Sequence, residues 1–165
     1  MTIEDVIGSD QFTLLANENI NFGINNDIVW LKYVLENKTI DPEKYFLVNN
    51  PSLDSLELYV VQNKKIIQSY TGGRLDDYSL KPIPSKHIIF KIDLPINQQV
   101  EVYLKVKSVN KTIITASVNS IEIIEGLINR ENIIFGIFTG VIVGLFFYNL
   151  FLYFSVRDKI YLIYV

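Results

Sequence analysis

Three short stretches each set an aromatic ring and a charge two positions apart. They are Trp30 and Lys32 in IVWLKYVL, Glu57 and Tyr59 in LELYV, and Tyr103 and Lys105 in VYLKVK. Residues i and i+2 of a strand share one face. The alternate positions are apolar: Val29, Leu31, Tyr33 and Leu35, then Leu56, Leu58 and Val60, then Val102, Leu104 and Val106. Alternation therefore predicts a core beneath the apolar set, with Trp30, Lys32, Glu57, Tyr59, Tyr103, Lys105 and Lys107 on the opposite face. A flat ring under the apolar side of a pyranose, with charged groups bonding its hydroxyls, is the chemistry such a face suits. The plainer reading is that rings fill strands well and long charged side chains shield them from water. Trp30, Lys32, Glu57, Tyr59, Tyr103 and Lys105 form the candidate ligand-binding set. A Trp30 lying between two sheets would refute both the register and the site.

Other chemistry is poorly supplied. His87 is the single histidine and there is no cysteine. Beyond that one imidazole nothing can build a histidine-rich metal site or a Ser-His-Asp relay, and thiolate chemistry is excluded. No serine lies in a Gly-x-Ser-x-Gly elbow, and TGGR (Thr71–Arg74) reads as a turn rather than a phosphate loop. His87 follows PIPSK at the head of a strand, where a surface or partly packed ring is expected. Asp76-Asp77 is an acidic pair in a turn, expected to be solvated rather than to hold calcium. Asn37-Lys38-Thr39 and Asn110-Lys111-Thr112 fit the glycosylation spacing and read as turns. No catalysis, cofactor or metal is expected of this chain.

The elements that must position the candidate set are strands. Ile28–Glu36, Lys44–Asn50, Leu56–Gln62, Lys65–Tyr70, Lys86–Leu94, Gln99–Ser108 and Lys111–Asn119 are rich in β-branched and aromatic residues. Turn signals separate them at Asn49-Asn50-Pro51, Gln62-Asn63-Lys64, Thr71-Gly72-Gly73, Pro82 to Pro84 and Asn110. Seven or eight short strands without a long helix predict an all-β sandwich, jelly-roll-like, over residues 1–120. Residues 121–132 (IEIIEGLINREN) form a connector, either a short helix or an extended stalk, with no Gly/Ser linker.

Ile133–Phe154 are 22 residues without a charge. At about 1.5 Å per residue they cover the roughly 30 Å core of a bilayer, and a transmembrane helix is predicted there. Its position far from the N-terminus excludes a signal peptide. Arg157 and Lys159 follow the span closely and only Arg130 precedes it, which places residues 155–165 in the cytoplasm and residues 1–130 outside. Gly136, Gly140 and Gly144 recur every fourth position, a packing row for another helix. Asn149 lies about 180° around the helix from Gly140. A close-packing side and a polar side suit a bundle of several helices. Residues 155–165 then form a turn and, in IYLIYV, the start of a truncated second span, so the chain is expected to be a fragment.

Arg157, Asp158 and Lys159 are the only charges beyond Glu131, so the 15 Lys+Arg and 18 Asp+Glu leave a balance of −4 before it. That argues against nucleic acid and against a polybasic lipid-binding surface. An outer domain without disulfides must rely on its core, and about 130 residues can bury enough. MTIEDVIGSDQF lacks the basic start and apolar run of an export signal.

The order of these segments resembles the bacterial seven-transmembrane receptors with diverse intracellular signalling modules. The similarity covers about residues 20–165 and joins the second type of extracellular domain to the first membrane helix. It rests most on Val29-Trp30, NPSLDSLELYVV (Asn50–Val61) and YNLFLYFSVRDKIYLIYV (Tyr148–Val165). The resemblance implies a periplasmic jelly-roll sensor in a bacterial inner membrane. Seven spans and a downstream output such as a histidine kinase, diguanylate cyclase or phosphatase would complete it. Two departures stand out: Gly72-Gly73-Arg74 where Gly-Asp is expected after the threonine, and Asn119-Ser120 where the family often has tryptophan. The expected partners are the membrane, a small ligand such as a carbohydrate, other helices of the receptor, and a second copy in a homodimer. The rival expectation is an assembly domain that binds its own copy or a partner protein through a flat apolar patch.

Overall fold

The computed structural model describes residues 2–9, 11–15, 20–24, 26–77, 83–157 and 160. The chain divides into two compact units, Met1–Ile121 and Glu122–Val165. The expected truncated second span after Ile160, and Pro82 among the turn signals, lie outside the described residues.

Among its described residues the first unit carries a one-turn helix α1 (Ile3–Val6) and nine strands. These are β1 (Ile20–Ile24), β2 (Val29–Glu36), β3 (Glu43–Val48), β4 (Ser55–Gln62), β5 (Lys65–Gly72), β6 (Ile88–Asp93), β7 (Gln99–Lys107), β8 (Lys111–Ile114) and β9 (Ala116–Asn119). They build a four-stranded sheet β2-β7-β4-β5, a three-stranded sheet β6-β3-β9 and a ribbon β1-β8. Every pairing between these strands is antiparallel. The chain changes sheet between β2 and β3, β3 and β4, β5 and β6, and β6 and β7, the crossing habit of a jelly-roll-like sandwich.

Alternation places the core. Leu31, Leu56, Leu58, Val60, Val102, Leu104 and Val106 from the larger sheet meet Phe46, Val48, Ile88, Phe90 and Ile92 from the smaller one. Tyr33 meets Phe46 edge-on at 5.5 Å and Tyr70 meets Phe90 at 6.3 Å, so rings join the two sheets. The β4–β5 hairpin turns through Asn63 and Lys64, both at positive φ (51° and 61°), the type I′ geometry that matches strand twist. Close to the turn, the register slips between Val60 and Val61. Val60 still enters the core, while Val61 is buried on the opposite face.

Three parts of the unit depart from the sequence reading. The stretch expected as one strand, Lys111–Asn119, is two: β8 pairs with β1, and β9 pairs with β3. The break falls at Thr115, whose carbonyl accepts the Asn49 N–H at 2.9 Å, so the chain changes partners there. β1 itself is absent from the expected strands, because its sequence INFGI is interrupted by Gly23 at φ 69° and carries little alternation. His87, expected as a surface or partly packed ring, is buried at 6% exposure, and its backbone N–H donates to Ser85 Oγ at 3.1 Å. That serine turn folds the segment inward ahead of β6.

In the second unit, α2 (Ile121–Val156) is one uninterrupted helix of 36 residues, so the 121–132 stretch is helical rather than an extended stalk. Its length is about 54 Å at the usual rise. The helix is long and apolar enough to cross a membrane, with a mean hydropathy of 2.1 over its best 18 residues. It ends at Arg157, whose φ of 60° and N–H bond to the Tyr153 carbonyl at 2.8 Å form a left-handed cap.

Candidate ligand-binding face

β2, β7 and β4 are neighbours, and their registers bring the six candidate residues into two rows. Trp30 pairs with Lys105 and Lys105 with Glu57, while Lys32 pairs with Tyr103 and Tyr103 with Tyr59. All six lie on the face turned away from the core, and Trp30 is not between the sheets.

In the first row Lys105 Nζ bonds Glu57 Oε1 at 2.7 Å and stands 5.8 Å from the centre of the Trp30 ring. Tyr59 donates its hydroxyl to the other Glu57 oxygen and stacks on Trp30 at 6.2 Å and 27°. The bonds from Lys105 and then Tyr59 hold the Glu57 carboxyl below the usual range, while burial followed by Glu57 pushes the Tyr59 hydroxyl up to about 12. The second row repeats the chemistry. Lys32 Nζ is 2.6 Å from Glu101 Oε1 and 5.4 Å from the Tyr103 ring, and Tyr103 donates to Glu101 Oε2 at 2.9 Å. Burial raises Glu101, but the bonds from Lys32 and Tyr103 outweigh it and leave its carboxyl lowered. The local rule behind both rows is Glu-x-Tyr on one strand with a lysine from the next. It recurs on the other sheet, where Tyr45 donates to Glu43 and Lys91 sits 2.6 Å from Glu43 Oε2.

The rings do not form an open platform. Ile3 and Val6 of α1 are buried against Tyr103 and Val61, and Ile7, Phe12, Trp30 and Tyr59 pack around them. Tyr103 lies on the face away from the core, as alternation predicts, yet it is 0% exposed because α1 covers it. The physical reason is that rings on three adjacent strands make an apolar area large enough to demand a cover. Phe12 supplies part of it, tilted over Tyr103 at 5.9 Å. A signal for that cover existed: Ile3, Val6 and Ile7 follow helical i, i+3, i+4 spacing in a stretch that lacks the marks of an export signal. Between α1 and the sheet runs a groove of about 430 Å³ lined by Thr2, Ile3, Glu4, Tyr59, Ser69 and Lys105, among others. The Trp30 Nε1 atom is buried and finds no acceptor among the described residues.

The departing TGGR turn has its own logic. A Cβ on Gly73 (φ 149°) would lie 2.3 Å from the Asp54 carbonyl oxygen. Arg74 Nη2 bonds Asp54 Oδ1 at 2.6 Å, and Asp54 Oδ2 accepts Val109 N–H at 2.9 Å. Val109 first and Arg74 second hold the Asp54 carboxyl low. The turn therefore closes the end of the sandwich rather than reaching outward. Among the described residues no group of three or more His, Asp or Glu is arranged for a metal.

In α2 a Cβ on Gly136, Gly140 or Gly144 would meet nothing within 4 Å among the described residues. Asn149 donates to the Leu145 carbonyl of its own helix at 2.9 Å, which satisfies one of its amide hydrogens without a second helix.

A family model described as 7TMR-DISM extracellular 2 matches residues 1–120, and one described as 7TM diverse intracellular signalling matches residues 131–165. No curated protein matches this chain.

Proposed function

Because the chain belongs to the 7TMR-DISM extracellular 2 family over residues 1–120 and continues into the 7TM diverse intracellular signalling region over residues 131–165, we propose that its outer sheet face senses a small carbohydrate-like ligand. The coarse role follows from that membership: an extracellular sensor domain linked to a membrane-spanning receptor segment. The finer reading rests on Trp30 stacked on Tyr59 beside the Lys105–Glu57 pair, with Tyr59 and Lys105 lining a groove. Such a set offers a ring face for the apolar side of a sugar and two charged partners for its hydroxyls. Binding would strain or rotate the connector 121–132, which leaves β9 after a single residue and enters the span without a flexible linker. The membrane in this reading is a bacterial inner membrane, residues 1–130 are periplasmic, and the output module lies downstream.

Trp30 is the only tryptophan, so the whole chain in detergent micelles reports on this face by its own emission. Titration with neutral and acidic oligosaccharides should give a saturable change for at least one of them. Calorimetry should then show that binding is lost in Trp30→Ala while the thermal transition is kept. A panel without any saturable change removes the carbohydrate reading.

An assembly reading draws on a different observation. β5 is an edge strand carrying Ile66 and Ile67 at 39% and 43% exposure, and exposed apolar edges invite a second copy. Sedimentation that shifts with concentration and is abolished by Ile67→Lys would favour it.

A further inference from the structure

We propose that α1 and Phe12 form a displaceable strap, which lifts from the outer face as a unit separate from the sandwich and closes over the ground a ligand would occupy. The inference rests on that face being the ligand site. Three observations carry it. First, the strap is held by side chains alone. Ile3 and Val6 are buried against Tyr103 and Val61, yet every hydrogen bond that Thr2–Ser9 make among the described residues closes within residues 2–11. Those bonds are Ile7 to Ile3 at 2.9 Å, Ser9 to Val6 at 3.0 Å, the Thr2 N–H and hydroxyl to Asp5 at 2.8 and 3.1 Å, and Gln11 to Ser9 at 3.3 Å.

Second, the charged groups beneath are paired without the strap. Lys105, Glu57 and Tyr59 bond one another, as do Lys32, Glu101 and Tyr103. Lifting the strap therefore uncovers apolar surface but strands no buried charge. Third, the strap imitates a ligand. Phe12 lies over Tyr103 with Lys32 Nζ 6.0 Å from its ring, the ring-and-cation embrace that a pyranose would receive. A short helix docked by few apolar contacts belongs to the low-stability end of local opening. Ligand affinity is then reduced by the fraction of molecules in which the strap is closed, and anything that weakens the strap sensitises the receptor.

The chain has no cysteine, so one introduced thiol reports one position. Three variants of the whole chain in micelles are compared by the rate of reaction with a maleimide: Val6→Cys in the strap, Val102→Cys in the core and Lys38→Cys on the surface. Val6 and Val102 are both 0% exposed, and Val→Cys nearly conserves volume. The expected order places Val6→Cys at least about tenfold slower than Lys38→Cys and at least about tenfold faster than Val102→Cys. Mild urea should speed Val102→Cys and leave Val6→Cys almost unchanged. A Val6→Cys rate equal to that of Val102→Cys would mean the segment opens only when the domain unfolds, and overturns the proposal. A rate equal to that of Lys38→Cys means the face is uncovered, and overturns it too. No ligand enters these measurements, so the strap stands or falls on the three rates whatever the oligosaccharide titration gives.

Discussion

Lys105 stands directly across β7–β2 from Trp30, its ammonium 5.8 Å from the indole centre and 2.7 Å from Glu57 on the other flanking strand. One cation thus serves a ring and a carboxylate at once. Lys105→Met keeps most of the aliphatic stem and removes the charge. It should weaken any oligosaccharide that saturates the Trp30 signal by about tenfold or more, since charge-assisted bonds contribute about 1.5–3 kcal/mol. The melting temperature should move by only a few degrees. Unaltered affinity would take Lys105 out of the site.

Acid should loosen this face. Glu57 and Glu101 have folded pKa values below their ordinary 4.5. A lowered carboxylate contributes stability that is complete above the unfolded value and is lost as pH falls through the folded one. Melting temperatures of the parent chain should therefore drop below about pH 4.5 more steeply than those of Glu57→Gln/Glu101→Gln. Parallel curves for the two proteins would show that these bonds do not couple to folding.

Gly73→Ala should be the costliest single methyl in the sandwich. The added Cβ meets the Asp54 carbonyl oxygen at 2.3 Å in a backbone conformation that side chains rarely adopt. A loss of about 2–4 kcal/mol in denaturant unfolding is expected. Gly23→Ala, at φ 69° but with nothing within 4 Å among the described residues, should cost less. Equal losses would mean the close approach to Asp54 does not matter.

Gly140→Ile tests the span. Among the described residues nothing lies within 4 Å of a Cβ at that position, so an effect on signalling or assembly would point to neighbouring helices. The expected result in the full-length receptor is altered output with an unchanged outer domain. Normal output would make the glycine row compositional.

Topology is tested by thiols at Asn63, in the β4–β5 turn, and at Asp158, beyond the described residues. In spheroplasts carrying the full-length receptor, Asn63→Cys should react with an impermeant reagent and Asp158→Cys only after lysis. The reverse would place residues 1–130 inside.

Much of this protein was legible because period and length are local properties. The two-residue alternation of VWLKYVLE, LELYV and VYLKVK was enough to assign Leu31, Leu58 and Leu104 to the core and Trp30, Tyr59 and Lys105 to the outer face. A charge-free run from Ile133 to Phe154 likewise marks a span by length alone, and the helix found there extends from Ile121 to Val156. What alternation cannot say is which strands are neighbours or what lies over a face. Pairing β7 between β2 and β4 is a long-range choice, and only that choice puts Lys105 between Trp30 and Glu57. The division of Lys111–Asn119 between two sheets at Thr115 is equally non-local, because both halves are good strand sequence. The burial of Tyr103 under Ile3 and Val6 depends on a segment about a hundred residues away in the chain. The spacing of Ile3, Val6 and Ile7 marks one turn of amphipathic helix, and tertiary packing alone decided where that helix would lay its apolar side.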